Sequence, residues 1–192
     1  MRDIDLQREL RSTGKAFFTL SDLEKVTGLE KGSLYVSLNR WLKRGILERA
    51  QRGVYVIPGE SQRLEIVAGQ IYFPCYLSFE SALSRFGVLN LVPYSLTFAT
   101  TRKTRNATLL GREVLYRQIK DELFFGFDIE DGLYVADAEK ALLDLVYMNT
   151  VGKASLPLEE LDVRSLSRRT LREYAGRFPT RVLKKLDEVL EG

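Results

Sequence analysis

Apolar residues recur at helical spacing along the first quarter of the chain, then give way to two short β-prone runs. Ile4, Leu6 and Leu10 fall on one stripe of IDLQRELRS and predict a first helix, which Gly14 interrupts. Ser21 stands as N-cap of a short helix, Asp22–Val26, with Asp22 and Glu24 in its first turn and Gly28 behind it. Leu34, Leu38, Trp41 and Leu42 repeat at helical spacing and predict a helix over Lys31–Arg44, with Gly45 just past its end. ILER and VYVIP, joined by Ala50-Gln51-Arg52-Gly53, predict a small hairpin. In that order these elements make a winged helix-turn-helix.

Pro58-Gly59-Glu60-Ser61 is linker-like and sets the expected domains at residues 1–58 and 62–192. Beyond it, SFESALSRFG predicts a helix capped by Ser78. Tyr94–Thr101, Glu113–Ile119, Leu123–Phe127 and Leu133–Ala136 predict strands. Asp137–Tyr147 predicts a helix with Asp137 as N-cap and Ala141, Leu142, Leu145 and Val146 as its apolar face. Two more helices are expected near Ser165–Arg177 and Pro179–Leu190. The expected fold class is α+β: an N-terminal winged helix-turn-helix, then a mixed α/β domain ending in a helical segment. Phe124, Phe125 and Phe127, with Tyr72, Phe73 and Tyr76, are expected in the core.

The charge is unevenly spread, and that changes the picture. Residues 1–58 hold eleven Lys and Arg against seven Asp and Glu, whereas the remainder is close to neutral. A module drawn to phosphates needs such an excess. In Lys31–Arg44 the positions off the apolar stripe include Lys31, Ser33, Tyr35, Val36, Asn39, Arg40, Lys43 and Arg44. Asparagine and arginine pair bidentately with adenine and guanine edges, and Val36 is suited to a thymine methyl. Arg49 and Arg52 lie on or beside the hairpin tip, where a wing meets backbone or minor groove. These ten residues are the expected interface with double-stranded DNA. A winged domain that docks protein is the main alternative, and the basic balance weighs against it.

The chain has no histidine and a single cysteine, Cys75, set among apolar neighbours as a buried structural thiol would be. Imidazole catalysis, disulfides within the chain and the usual zinc sites are thereby excluded. Neither GxxxxGK[ST] nor GxGxxG occurs, so nucleotide binding has no support. No apolar run approaches the about 18 residues of a membrane span, and the start, MRDIDLQREL, is charged; a cytoplasmic protein is expected. A Mg-dependent nuclease built on Glu80, Asp137, Glu139, Lys140 and Asp144 is a further alternative. The spacing of Lys140 and Asp144 instead predicts an ordinary surface ion pair on a helix. The expectation is no enzyme, no cofactor and no metal. Two other basic clusters form a possible second surface for nucleic acid or protein: Arg102, Lys103 and Arg105, and Arg168, Arg169, Arg172, Arg181 and Lys184.

SDLEKVTGLEKGSLYVSLNRWLKRGILERAQRGVYVIP resembles the winged helix of prokaryotic AbiEi-family antitoxins of type IV toxin–antitoxin systems. YLSFESALSRFGVL, TTRKTRN, YRQIKDELFFGF and VADAEKALLDLVY follow in the order and spacing of that family, so the resemblance spans about residues 15–150. It implies an abortive-infection, phage-defence regulator. Such a protein represses its own operon at promoter inverted repeats and neutralises a nucleotidyltransferase toxin through its C-terminal region, without requiring a stable complex. The family motif maps to Lys31, Ser33, Asn39 and Arg40, and implies no catalytic residue.

Overall fold

The computed structural model describes residues 3–59 and 64–191. The chain divides into two compact units, Met1–Ala68 with Thr108–Gly111, and Gly69–Ala107 with Arg112–Gly192. Of the expected linker, Glu60 and Ser61 lie outside the described residues.

The first unit contains α1 (Asp3–Ser12), α2 (Leu20–Thr27), α3 (Lys31–Lys43) and a hairpin of β1 (Glu48–Gln51) and β2 (Val54–Val56). Leu6, Leu10, Phe18, Leu23, Leu34, Leu38, Trp41, Leu47, Tyr55 and Ile57 form its core. Ile4, expected on the α1 stripe, is 75% exposed. It sits two residues before Leu6, a spacing that does not share a helix face. Phe18 bridges to Tyr55, so the hairpin gains a third partner through a reciprocal pair of backbone hydrogen bonds, 2.8 and 2.9 Å.

The cap of α2 is Thr19, not Ser21, which lies inside the helix. The Asp22 backbone N–H donates to Thr19 Oγ1 at 3.2 Å, and the Thr19 N–H donates to Asp22 Oδ2 at 2.9 Å, a reciprocal capping box. Partial burial would raise the Asp22 pKa. The Lys15 ammonium and the Thr19 N–H and hydroxyl outweigh it, lowering the carboxyl from 3.8 to about 2. A carboxyl lowered in the folded state stabilises fully above its unfolded pKa and loses that contribution as pH falls from about 4 towards 2. Melting followed by Trp41, the only tryptophan of the chain, should therefore fall more steeply below pH 4 in the wild type than in Asp22→Asn. At pH 7, Asp22→Ala should cost about 1 kcal/mol.

A six-stranded mixed sheet of order β5-β6-β4-β3-β8-β7 belongs to the second unit except for Thr108 and Leu109, at the end of β5, which group with the first. Its strands are β3 (Cys75–Leu77), β4 (Leu96–Thr100), β5 (Arg105–Leu109), β6 (Arg112–Gln118), β7 (Phe127–Glu130) and β8 (Leu133–Ala136). β4 runs parallel to β6, β3 parallel to β8, and β3–β4 and β7–β8 are antiparallel. Helix α4 (Leu64–Ile71) precedes β3, and α5 (Phe79–Arg85) follows it. α6 (Ala138–Thr150) is buried along most of its length, and α5, α7 (Arg168–Ala175) and α8 (Thr180–Glu191) pack against it.

Leu123–Phe127, expected as one strand, is instead a 3-10 turn at Asp121–Leu123, an irregular stretch, and then β7. The cause is Gly126, at φ +70 in the left-handed region, where a Cβ would stand 2.9 Å from Lys140 Cγ. The chain bends here to let the lysine stem pass. Phe124 and Phe125 fold over the core, but Phe73, expected inside, is 57% exposed.

Candidate nucleic-acid interface

α3 is anchored by Leu34, Leu38 and Trp41 on its inner side. At about 100° per residue, Gly32, Val36, Asn39 and Lys43 lie opposite that seam. Ser33 and Arg40 take one flank, and Lys31 and Tyr35 the other. Lys31, Ser33, Asn39, Arg40 and Lys43 are exposed. Val36 is 72% and Tyr35 45% exposed, so the outer face combines cations and an amide with uncovered apolar surface.

The start of α3 contrasts with that of α2. Its N-cap Glu30 makes no side-chain cap bond, and its first turn carries no acidic residue. The first backbone N–H groups of α3, beside Lys31 and Ser33, thus receive no side-chain hydrogen bond from the cap, and Glu30 supplies the acidic residue at that end of the helix dipole. The other end is fixed. Arg44, expected among the DNA contacts, pairs with Asp3 at 2.6 Å, and Gln7 Nε2 donates to the Ile46 carbonyl at 3.0 Å, tying α1 to the end of α3. The hairpin turns at Arg52-Gly53, with an irregularity in pairing between Arg49 and Gln51. Arg49 and Arg52 are exposed, and the Arg49 guanidinium stands 5.8 Å from the Tyr55 ring centre.

The two other basic clusters differ in how they are held. Arg102 lies over the Tyr72 ring at 4.2 Å and Arg105 over the same ring at 5.2 Å, while the Tyr72 hydroxyl donates to the Lys103 carbonyl at 2.8 Å. On α7 and α8, Arg172 pairs with Asp187 at 2.8 Å, and Arg168 donates to the Leu190 carbonyl at 3.1 Å. Arg169, Arg181 and Lys184 are exposed.

The Lys140–Asp144 pair corrects the sequence expectation. Both side chains are 0% exposed, so the pair lies in the core, not on a surface. Lys140 Nζ donates to Asp144 Oδ1 and, at 2.7 Å, to the Tyr76 hydroxyl. That hydroxyl donates to Asp144 Oδ2 at 2.8 Å, and Ser78 Oγ donates to the same oxygen at 2.8 Å. Ser78 precedes α5 as expected but makes no side-chain cap bond there; its hydroxyl serves the buried carboxylate instead. Burial pushes the Lys140 ammonium below the ordinary lysine range, and Asp144 opposes that shift. Asp137 accepts from the Lys140 N–H at 2.8 Å as N-cap of α6, and Tyr174 donates to its other oxygen at 2.9 Å. Glu80 is held by Arg117 in a two-bond pair of 3.0 and 2.8 Å. Glu139 accepts from the Ser167 N–H at 2.7 Å, so the carboxylates of the nuclease reading are distributed between core, cap, ion pair and a backbone contact. Among the described residues, no group of three His, Cys, Asp or Glu side chains is placed to hold a metal ion. Cys75 is buried, and desolvation pushes its thiol up to about 12, as befits an inert position.

Three helices with an outward-facing third helix and a β-hairpin define the N-terminal unit as a winged helix-turn-helix. Residues 5–58 match the family described as "Transcriptional regulator, AbiEi antitoxin", so this unit is a domain of the AbiEi type. The motifs of the second half lie outside that match. Over 98% of this chain and 74% of the other, the fold is similar to the crystal structure of the RV2827C protein from Mycobacterium tuberculosis, with a TM-score of 0.68 and 16% identity. At that identity the likeness is one of fold alone. No curated protein matches the chain. Among the described residues, no helix is long and apolar enough to cross a membrane.

Proposed function

We propose that this chain is a cytoplasmic, DNA-binding repressor of its own operon and the antitoxin of a type IV toxin–antitoxin system, counteracting a nucleotidyltransferase toxin. The observation that carries the DNA reading is the outer face of α3. Asn39 and Arg40 stand exposed beside Val36, above a seam that holds the helix rigidly from behind. Lys31, Ser33, Tyr35 and Lys43 extend that face, Arg49 and Arg52 add the wing, and Arg44 contributes by fixing the helix end. The antitoxin role rests on the family that the N-terminal unit matches and on the motifs of the second half.

Major-groove readout and backbone attachment separate in a mutation series. Asn39→Ala and Arg40→Ala should each lose about 1–3 kcal/mol on the operator while leaving non-operator binding nearly unchanged. Arg52→Ala should weaken binding on every sequence alike and flatten the salt dependence by about one phosphate contact. Gel shifts on DNA upstream of the protein's own gene, repeated over a salt series, read both effects. No shift at low salt would remove the repressor reading. Unaltered growth arrest when the chain is co-expressed with a nucleotidyltransferase toxin encoded beside its gene would remove the antitoxin reading.

A further inference from the structure

A cavity of about 450 Å³ is lined by Thr104, Asn106, Leu115, Arg117, Met148 and Lys153, all of them in the second unit. That volume falls within the about 300–1,000 Å³ of small-molecule sites. Its polar groups are held from behind. The Lys153 N–H donates to the Met148 carbonyl and the Gly152 N–H to the Asn149 carbonyl, each at 2.9 Å, a Schellman closure of α6 that brings Lys153 to the cavity. Arg117 Nη1 donates to both Glu80 oxygens, and its guanidinium lies 4.9 Å from the Phe79 ring centre. Thr104 Oγ1 accepts from the Gln118 N–H at 3.1 Å, which leaves its own proton to donate. Among the described residues, Arg117 Nε and Nη2, the Lys153 ammonium and the Asn106 side-chain amide have no protein partner.

Unspent guanidinium, ammonium and amide donors around one cavity make a receptor for an anion. The charge balance selects which anion. Arg117 and Lys153 bring two positive charges and Glu80 returns one, so one negative charge on a ligand is matched and a second is not. Glu113 shares the side of β6 that carries Leu115 and Arg117, and it weighs further against a dianion. An arginine with Nη1 engaged still offers Nε and Nη2 as a two-pronged edge, which fits the two oxygens of a carboxylate. We propose that this cavity binds a small organic carboxylate. Its head sits on Arg117 and Lys153, its apolar body lies against Leu115 and Met148, and Asn106 and Thr104 supply the remaining hydrogen bonds. The lining residues take no part in the DNA reading, and the site is tested without DNA.

Amide NMR of the nitrogen-labelled full chain, titrated at neutral pH with acetate and with phenylacetate, is the test. Saturable shifts should appear at the Asn106 side-chain amide, recognised by its loss in Asn106→Ala, and at the Gly152 and Lys153 backbone amides. Phenylacetate should bind more tightly than acetate, because acetate leaves the apolar wall bare. Lys153→Gln should weaken binding about tenfold, the worth of one hydrogen bond to a charged group. Lys25→Gln removes the same charge from an exposed position of α2 and should bind as the wild type does. Benzyl alcohol, a ring without charge, should leave these resonances in place. Phenyl phosphate carries nearly two charges at neutral pH, its second pKa being about 6, and should bind more weakly than phenylacetate. Asn106 and Lys153 are exposed, and the spectrum of each variant reports its folding directly. No saturable shift with either carboxylate, undiminished affinity in Lys153→Gln, an equal loss in Lys25→Gln, or tighter binding of benzyl alcohol or phenyl phosphate would each overturn the proposal.

Discussion

Lys140→Met is expected to destabilise the second unit by about 3–5 kcal/mol, because it leaves the Asp144 carboxylate buried without its cation. A loss of that size is a large fraction of the about 5–15 kcal/mol by which domains are stable. Two neutral hydroxyls, from Tyr76 and Ser78, would remain on Asp144, and hydrogen bonds alone do not replace a counter-charge in a dry site. The network predicts its own repair. Lys140→Met with Asp144→Leu should recover part of the loss, and adding Tyr76→Phe and Ser78→Ala should recover more, since no polar group is then left without a partner. Urea unfolding followed by far-ultraviolet circular dichroism measures each step. A loss below about 1 kcal/mol for Lys140→Met would mean that water reaches the pair.

Leu38→Ala carries the second large effect, about 2–5 kcal/mol in the first unit, because a fully packed leucine leaves a cavity between α3 and its neighbours. Its value lies in comparison with Asn39→Ala. The two residues are adjacent in sequence but belong to opposite sides of α3, one buried and one exposed. Leu38→Ala should lower the denaturation midpoint seen by Trp41 fluorescence, while Asn39→Ala should leave it within about 0.5 kcal/mol, as ordinary for a surface change. If Asn39→Ala destabilised as much as Leu38→Ala, the outer face would have a structural duty that its exposure does not show.

Legibility from sequence followed from how far apart the deciding residues lie. α3 was readable because its seam and its outer face are both set by local period, and Gly45, at φ +66, marks its end. The Thr19 box was missed because Ser21 also suits an N-cap and sits two residues away; the decisive partner was Asp22, three residues after Thr19. β3 escaped because it is three residues long and buried on both faces, so it has no alternation to detect. β5 escaped because its exposed, polar pattern resembles a loop. The buried ion pair was misread because spacing of three or four residues is the same on a wet helix as on a dry one. Its partners Tyr76 and Ser78 stand more than sixty residues away in sequence. A signal was nonetheless present: AEKALLDLVYM has apolar residues on nearly every side, and a helix of that kind is buried, charges included.

The shared hydroxyl of Tyr76 also bears on how this sequence can drift. It accepts from the lysine and donates to the aspartate, so neither charge can be exchanged in one step without stranding the other in the protein interior. Descendants that abandon the pair must pass through a poorly folded ancestor or change several positions together. Those that keep it are held to glycine at 126, where the lysine stem fills the room that any Cβ would take.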